Sequence, residues 1–325
     1  MRRARHAVWA VLRTVWTPVL VALLVAVAAG RAGGQAGRHA AVILELPASA
    51  RALALGGAYA AVGEDDAALF YNPAQLATLG SRAAGISVQR YLASSTLGAA
   101  AAASRVGRGM VAIGVQALSY GSEPEIVPDP GSGGERGVAT GRRVSAGDVA
   151  VSVAYATSVG ALRLGAAAKA VNQRIAGVSG SAAALDLGIA YDVGSQLTLG
   201  AALQHVGSRL RLAGVTSPLP RAARVGGAVR AVRAGPVVVL ATAEVGGLGT
   251  GTARVSGGGE LTWRVPGSVT LAGRVGASPR RVGDDAAPLA LGGSLLSRRL
   301  AVDYAFQAYD AVGGATHRLG VRWWR

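Results

Sequence analysis

The chain predicts an all-β fold: an antiparallel transmembrane β-barrel of about fourteen strands, holding a short N-terminal helical plug and preceded by a signal peptide. Three observations predict it. From residue 82 onward, apolar residues alternate with small or polar ones in segments of the roughly 9–11 residues that a tilted membrane-spanning strand needs. The connections between segments alternate short and long, as the periplasmic and outer ends of an outer-membrane barrel require. The N-terminus is basic and then apolar, the pattern of an export signal.

Residues 1–36 read as the signal peptide. Arg2, Arg3 and Arg5 form its basic region, an apolar run from Val15 to Ala29 follows, and Ala26-Val27-Ala28 or Gly34-Gln35-Ala36 offers a cleavage site. An uncleaved anchor from Ala7 to Ala29 is the competing reading, but Arg13 interrupts it and leaves less than the roughly 20 apolar residues of a spanning helix. The absence of cysteine removes disulfides, lipoprotein attachment, thiolate metal sites and cysteine nucleophiles from consideration.

Residues 37–81 form the plug segment, and within them 48–79 differ in kind from everything that follows. Ser49 reads as the N-cap of a helix in which Leu53, Ala54, Gly57, Ala58 and Ala61 fall near helical spacing before Gly63 stops it. Asp65 or Asp66 can cap a second, shorter helix over Ala67 to Tyr71, which Asn72-Pro73 ends because the residue before proline is pushed out of the α region. The stretch is compact, short of bulky apolar residues and shaped to fit inside something.

Residues 82–325 form the barrel. Strands are expected near 82–90, 95–104, 109–121, 144–158, 161–177, 182–192 and 196–209, then near 222–232, 235–247, 253–264, 268–277, 286–296, 299–309 and 315–324. Leu185, Leu187, Ile189 and Tyr191 on one face against Asp186, Gly188, Ala190 and Asp192 on the other show the alternation. The even number suits a closed bacterial barrel, and the turn lengths place both its ends at the periplasm. Tyr155, Tyr191, Trp263 and Trp323 share apolar parity at the short-turn end, where an interfacial belt belongs, while Tyr91, Tyr120 and Tyr309 fall near the outer ends. The opposite face carries Gly, Ala, Ser and Thr with charges of both signs, among them Asp148, Lys169, Asp186, Glu244, Glu260 and Asp303. A soluble β-sandwich would turn its apolar faces inward and show more Lys and Glu to water, so small residues and mixed charges argue for a lumen.

A net charge of +16 raises nucleic acid as a partner, but Lys169 is the only lysine, the arginines are scattered, and no interleaved aromatics accompany them. His6, His39, His205 and His317 have no metal spacing, and alternation puts His205 on the apolar face near a loop. Glycines 131, 133, 134 and 137 lie in a Pro-containing loop rather than between strand and helix, so they read as a flexible outer loop over 121–143 and not as a phosphate cradle. No nucleophile motif is present, and neither catalytic residues, cofactor nor metal is expected. The chain reads as a non-enzymatic protein whose surroundings are outer-membrane lipid.

The segment ARALALGGAYAAVGEDDAALFYNPAQLATL resembles the amino-terminal signature of the PorV/PorQ group, within the wider fatty-acid-transporter-like (FadL/OMPP1) barrels. The resemblance rests on Ala50-Arg51-Ala52-Leu53, Gly56-Gly57-Ala58, Asp65-Asp66, Tyr71-Asn72-Pro73-Ala74 and Leu76-Ala77, and on the pattern of Tyr304 to Leu319. Gln75 departs from a usual glycine, Leu55 from methionine, and the final Arg325 from phenylalanine. The PorV/PorQ resemblance implies a binding component of a type IX-like secretion or surface-attachment system, with an exported protein or a machine subunit as partner. The wider resemblance implies a channel for hydrophobic small molecules. Gly56, Gly57, Asp65, Asp66, Asn72, Pro73 and Ala74 form the candidate site, structural or gating. The plug is expected to enter from the periplasmic side, with Arg224, Arg230, Arg274 or Arg318 reaching Glu64, Asp65 or Asp66.

Overall fold

Alternation this regular leaves each strand with one apolar and one small or polar face, and closing the sheet satisfies every edge, which a strand inside a bilayer cannot leave open. The computed structural model describes residues 39–90, 95–247, 253–266, 269–278, 286–309 and 314–325. The expected signal peptide therefore lies outside the described residues, as does Tyr91.

Fourteen strands close into an antiparallel barrel. Its first half is β1 (Arg82–Arg90), β2 (Thr96–Val106), β3 (Gly109–Pro128), β4 (Gly137–Val159), β5 (Leu162–Ile175), β6 (Val178–Val193) and β7 (Leu197–Gly207). A small ribbon, β8 (Leu210–Leu212) with β9 (Val215–Ser217), stands outside the barrel sheet. The second half is β10 (Ala222–Ala234), β11 (Val237–Gly246), β12 (Arg254–Arg264), β13 (Thr270–Ala277), β14 (Ala286–Leu296), β15 (Leu300–Tyr309) and β16 (Gly314–Trp324). Neighbours in sequence pair, β7 pairs with β10 across the ribbon, and β1 closes on β16 from Ala83↔Trp324 to Arg90↔His317. Each expected segment is one of these strands.

The faces decide between barrel and sandwich. Leu187, Ile113 and Leu319 are 56%, 56% and 60% exposed, whereas Asp186 and Ala301 are 0% and 1% exposed. Apolar side chains face out and charges face in, the arrangement of a wall surrounded by lipid. Trp263, Trp323, Tyr155 and Tyr191 are all exposed at the short-turn end. Among the described residues no helix is long and apolar enough to cross a membrane.

Two connections are shorter than expected. Residues 121–143 are not a flexible loop: β3 and β4 continue as a paired ribbon to Pro128↔Gly137, turning through the short 3₁₀ helix Pro130–Ser132. Pro124 is tolerated because the register shifts beside it, between Pro124 and Ile126, and the ribbon is tied across by Thr140 donating to Glu125 at 2.7 Å. Residues 178–181 belong to β6, since Ala176 and Gly177, with φ of 49° and 86°, make the two-residue turn that fits a hairpin's twist.

Candidate functional site in the barrel lumen

Residues 39–79 run down the lumen from the long-loop end, where the Ala40 N–H donates to the Pro218 carbonyl at 3.0 Å, to the short-turn end at β1. The helices there are shorter than the spacing predicts. Ser49 does cap α1 (Ala50–Ala54), accepting from the Ala52 N–H, but the helix stops at Leu55 rather than continuing to Gly63. Gly56 and Gly57 adopt φ of 67° and 79° in succession, a left-handed pair that ends the helix, with the Gly57 N–H donating back to the Ala52 carbonyl at 2.9 Å. Asp65 caps the 3₁₀ helix Asp66–Phe70, and Asn72 caps a further one, Pro73–Thr78, with proline in its first turn.

The capping groups also fasten the segment to the wall. Asn72 Oδ1 accepts from the Ala74 N–H, while its Nδ2 donates to the Ala60 carbonyl at 2.6 Å and to the Ile189 carbonyl of β6 at 3.1 Å. Asp65 accepts from Ala67 N–H at 2.9 Å and from the Tyr59 hydroxyl at 2.6 Å, and lies 3.3 Å from Arg322 and 3.7 Å from Arg51. Arg51 makes a two-pronged pair with Glu260, both contacts 2.9 Å. Arg274 joins Glu260 to Asp303, and Arg322 returns from Asp303 to Asp65. In this closed chain of three arginines and three carboxylates Arg322 is half-buried and the other five are buried, and each charge has a partner, the condition under which buried ions are tolerated. Asp66 is the exception: its carboxyl has no cation as a direct partner among the described residues, and burial, then the Asp65 carboxylate, push it up to about 8.

Backbone is held as tightly. Glu244 on β11 accepts from the Tyr59 and Ala60 N–H groups at 2.8 and 2.7 Å and pairs with Arg224 at 2.5 Å. Arg318 reaches the Pro47 and Ala48 carbonyls rather than any carboxylate. Of the four arginines expected to pair with Glu64, Asp65 or Asp66, only Arg230 does so, with Glu64 at 2.7 Å. Arg51 and Arg322 take Asp65 instead. Arg51 lies in the same segment as Asp65, and Arg322 is inward by parity yet hidden in a strand end that reads as an aromatic terminus.

Close approach is made possible by glycines on the inner wall. A Cβ at Gly114 would meet Leu69 and Phe70, at Gly165 the Pro73–Ala74 backbone, at Gly188 the Asn72 side chain, and at Gly200 the Ala60 carbonyl. On the other side Gly258, Gly276 and Gly292 meet Leu55, Gly56 and Ala54, and Gly85 meets Asp66. Gly56 itself comes against Ala277, where a Cβ would lie 2.6 Å from its carbonyl oxygen. The collar is legible in principle as lone glycines of inward parity within strands.

One further inward cluster escapes the alternation. His205 sits inside, 4% exposed, because the β6–β7 register shifts between Leu185 and Leu187 and a bulge reverses its parity. It adopts φ of 58°, its N–H donates to Asp186 at 2.8 Å, and Lys169 pairs with Asp186 at 2.6 Å. Below, at the short-turn end, a cavity of about 290 Å³ remains between the segment and the wall, lined by Glu64, Gln75, Arg163, Asp192 and Arg230.

No family model and no curated protein matches the chain. Solved structures do. The toluene transporter TbuX of Ralstonia pickettii aligns over 85% of this chain and 98% of its own, with 16% identity and a TM-score of 0.57. The toluene transporter TodX of Pseudomonas putida aligns over 85% and 98%, with 12% identity and a TM-score of 0.58. A Pseudomonas aeruginosa FadL homologue aligns over 86% and 98%, with 11% identity and a TM-score of 0.55. At these identities the likeness is one of fold, and it agrees with the outward apolar wall: the protein is a bacterial outer-membrane β-barrel with the FadL-type architecture.

Proposed function

We propose that the protein carries hydrophobic small molecules across the outer membrane. The observation that carries this reading is the occupied lumen: a barrel of fourteen strands encloses more space than its own Gly and Ala side chains fill, and here residues 39–79 occupy it. A filled lumen suits a solute that must be handed past a barrier rather than diffuse in water, and the fold is shared with barrels described as toluene transporters. In this reading Gly56, Gly57, Asp65, Asp66, Asn72, Pro73 and Ala74 hold the closed state, through the turn, cap and wall contacts given above. Uptake of radiolabelled toluene by cells that express the protein, against cells that do not, tests it. Faster, saturable uptake is the expected result, and equal rates at equal surface abundance count against transport.

The β3–β4 ribbon favours a second reading, the PorV/PorQ-like role in secretion. Ile126, Val127 and Val138 are exposed beyond the barrel wall, where an exported protein could bind. Excising residues 121–143 should then abolish capture of the exported protein while leaving toluene uptake intact. Retained capture removes this reading.

A further inference from the structure

Arg90 ends β1 at the long-loop end on the lipid-facing side, in the row of Ile86 and Val88, while Ser87 and Gln89 point into the lumen. At 3.3 Å per residue and a tilt of about 40°, the nine residues of β1 rise about 23 Å, close to the roughly 25 Å apolar band. Arg82 and Arg90 therefore mark the two membrane interfaces on this side of the barrel. An exposed guanidinium at such a boundary lies at the depth of the lipid phosphates, and among the described residues no carboxylate pairs with Arg90.

The register fixes what surrounds it. Arg90 stands opposite Thr96 on β2 and His317 on β16, and both are exposed. The His317 ring is set by Tyr304, whose hydroxyl is 2.7 Å from Nδ1, and by the Phe306 ring at 5.5 Å. That leaves Nε2 as the free polar atom of the imidazole. One row deeper in the membrane the same face is apolar, with Val88 paired to Leu319 and Gly98.

We propose that Arg90, His317 and Thr96 bind the phosphate headgroup of an outer-leaflet lipid, whose acyl chains lie along Val88 and Leu319. The guanidinium supplies charge and paired donors, and the imidazole and hydroxyl supply further polar contacts. A free anion would satisfy Arg90 but would gain nothing from the apolar rows beneath it. Charge above and grease below fit a phosphorylated lipid.

The test uses the full-length protein in detergent, titrated with lipid A carrying its phosphates and with the same lipid dephosphorylated, bound fractions being read by native mass spectrometry. The phosphorylated lipid should bind about tenfold more tightly. Arg90→Gln should remove that preference, Arg90→Lys should keep part of it, and Arg82→Gln at the opposite interface should leave it unchanged. Millimolar inorganic phosphate should not displace the lipid. Equal binding of the two lipids by the unaltered protein, full discrimination by Arg90→Gln, or displacement by inorganic phosphate would each overturn the assignment. Heat-modified gel migration reports folding. Should Arg90→Gln not fold, His317→Ala takes its place, with a loss of about threefold expected and no loss counting against the site.

Discussion

Two stretches of chain share the lumen and are held there by different physics. Residues 47–79 are fastened by directional contacts: the Arg51–Glu260–Arg274–Asp303–Arg322–Asp65 ring, the Glu244 clasp on Tyr59 and Ala60, and a collar of wall glycines that lets backbone meet backbone. Residues 39–46 are held by apolar contacts of Ile43 and Leu44 in the cluster of Leu97, Leu118, Leu210 and Leu219, with a backbone bond from Ala40 to Pro218. Directional networks fix one geometry, whereas apolar burial is non-directional.

The largest effect should come from opening the ion ring. Asp65→Ala leaves Arg322 and Arg51 short of an anion and removes a helix cap, and should cost about 3–5 kcal/mol in unfolding from lipid or detergent. A loss below about 1 kcal/mol would mean that water screens the ring and the contrast between the two stretches is weak.

Next comes the wall itself. Leu187→Arg puts a charge on the lipid face of β6 and should cost about 2–4 kcal/mol near the midplane. Assembly at the unaltered level would reverse the assignment of inside and outside on which the lumen contacts depend.

The collar offers a smaller and more specific contrast. Gly165→Ala drives a Cβ into the Pro73–Ala74 backbone and should cost about 1–3 kcal/mol, whereas Gly98→Ala, with open space around it, should change stability very little. Equal effects at the two sites would dissolve the idea that wall glycines seat the lower stretch.

The smallest effect is a trend with pH. Asp66 binds its proton more tightly in the folded protein, up to about 8, than an exposed aspartate at 3.8. The folded state therefore holds more protons than the unfolded one between those values, and stability should fall as pH rises through that window. Asp66→Asn should flatten the slope. A slope unchanged by the substitution would assign it to other groups.

Much of the wall was legible because alternation is a local property: Leu185, Leu187, Ile189 and Tyr191 announce their face without reference to any partner. Pro124 and Pro128 hid the β3–β4 ribbon, since proline ordinarily breaks a strand; Pro124 sits beside a register shift, which depends on both strands, and Pro128 is the last residue of β3. His205 was misplaced for the same reason, its parity being set by a bulge against β6. Within the lumen the caps Ser49, Asp65 and Asn72 could be read from neighbouring residues. The partners of Asp65 could not, because Arg51 and Arg322 meet there only after the barrel closes β16 onto β1. Glycines such as Gly165 and Gly200 read as small fillers, and only the fold shows the backbone each one admits.

Electrical conductance in planar bilayers tests the central claim, that residues of the lower stretch close the lumen, most directly. Full-length protein should be nearly silent, while a variant lacking residues 51–76, shown to be folded by its strand content and heat-modified migration, should conduct ions as an open barrel of this strand number does. Equal conductance from the two folded proteins would contradict the account and place the barrier elsewhere in the barrel.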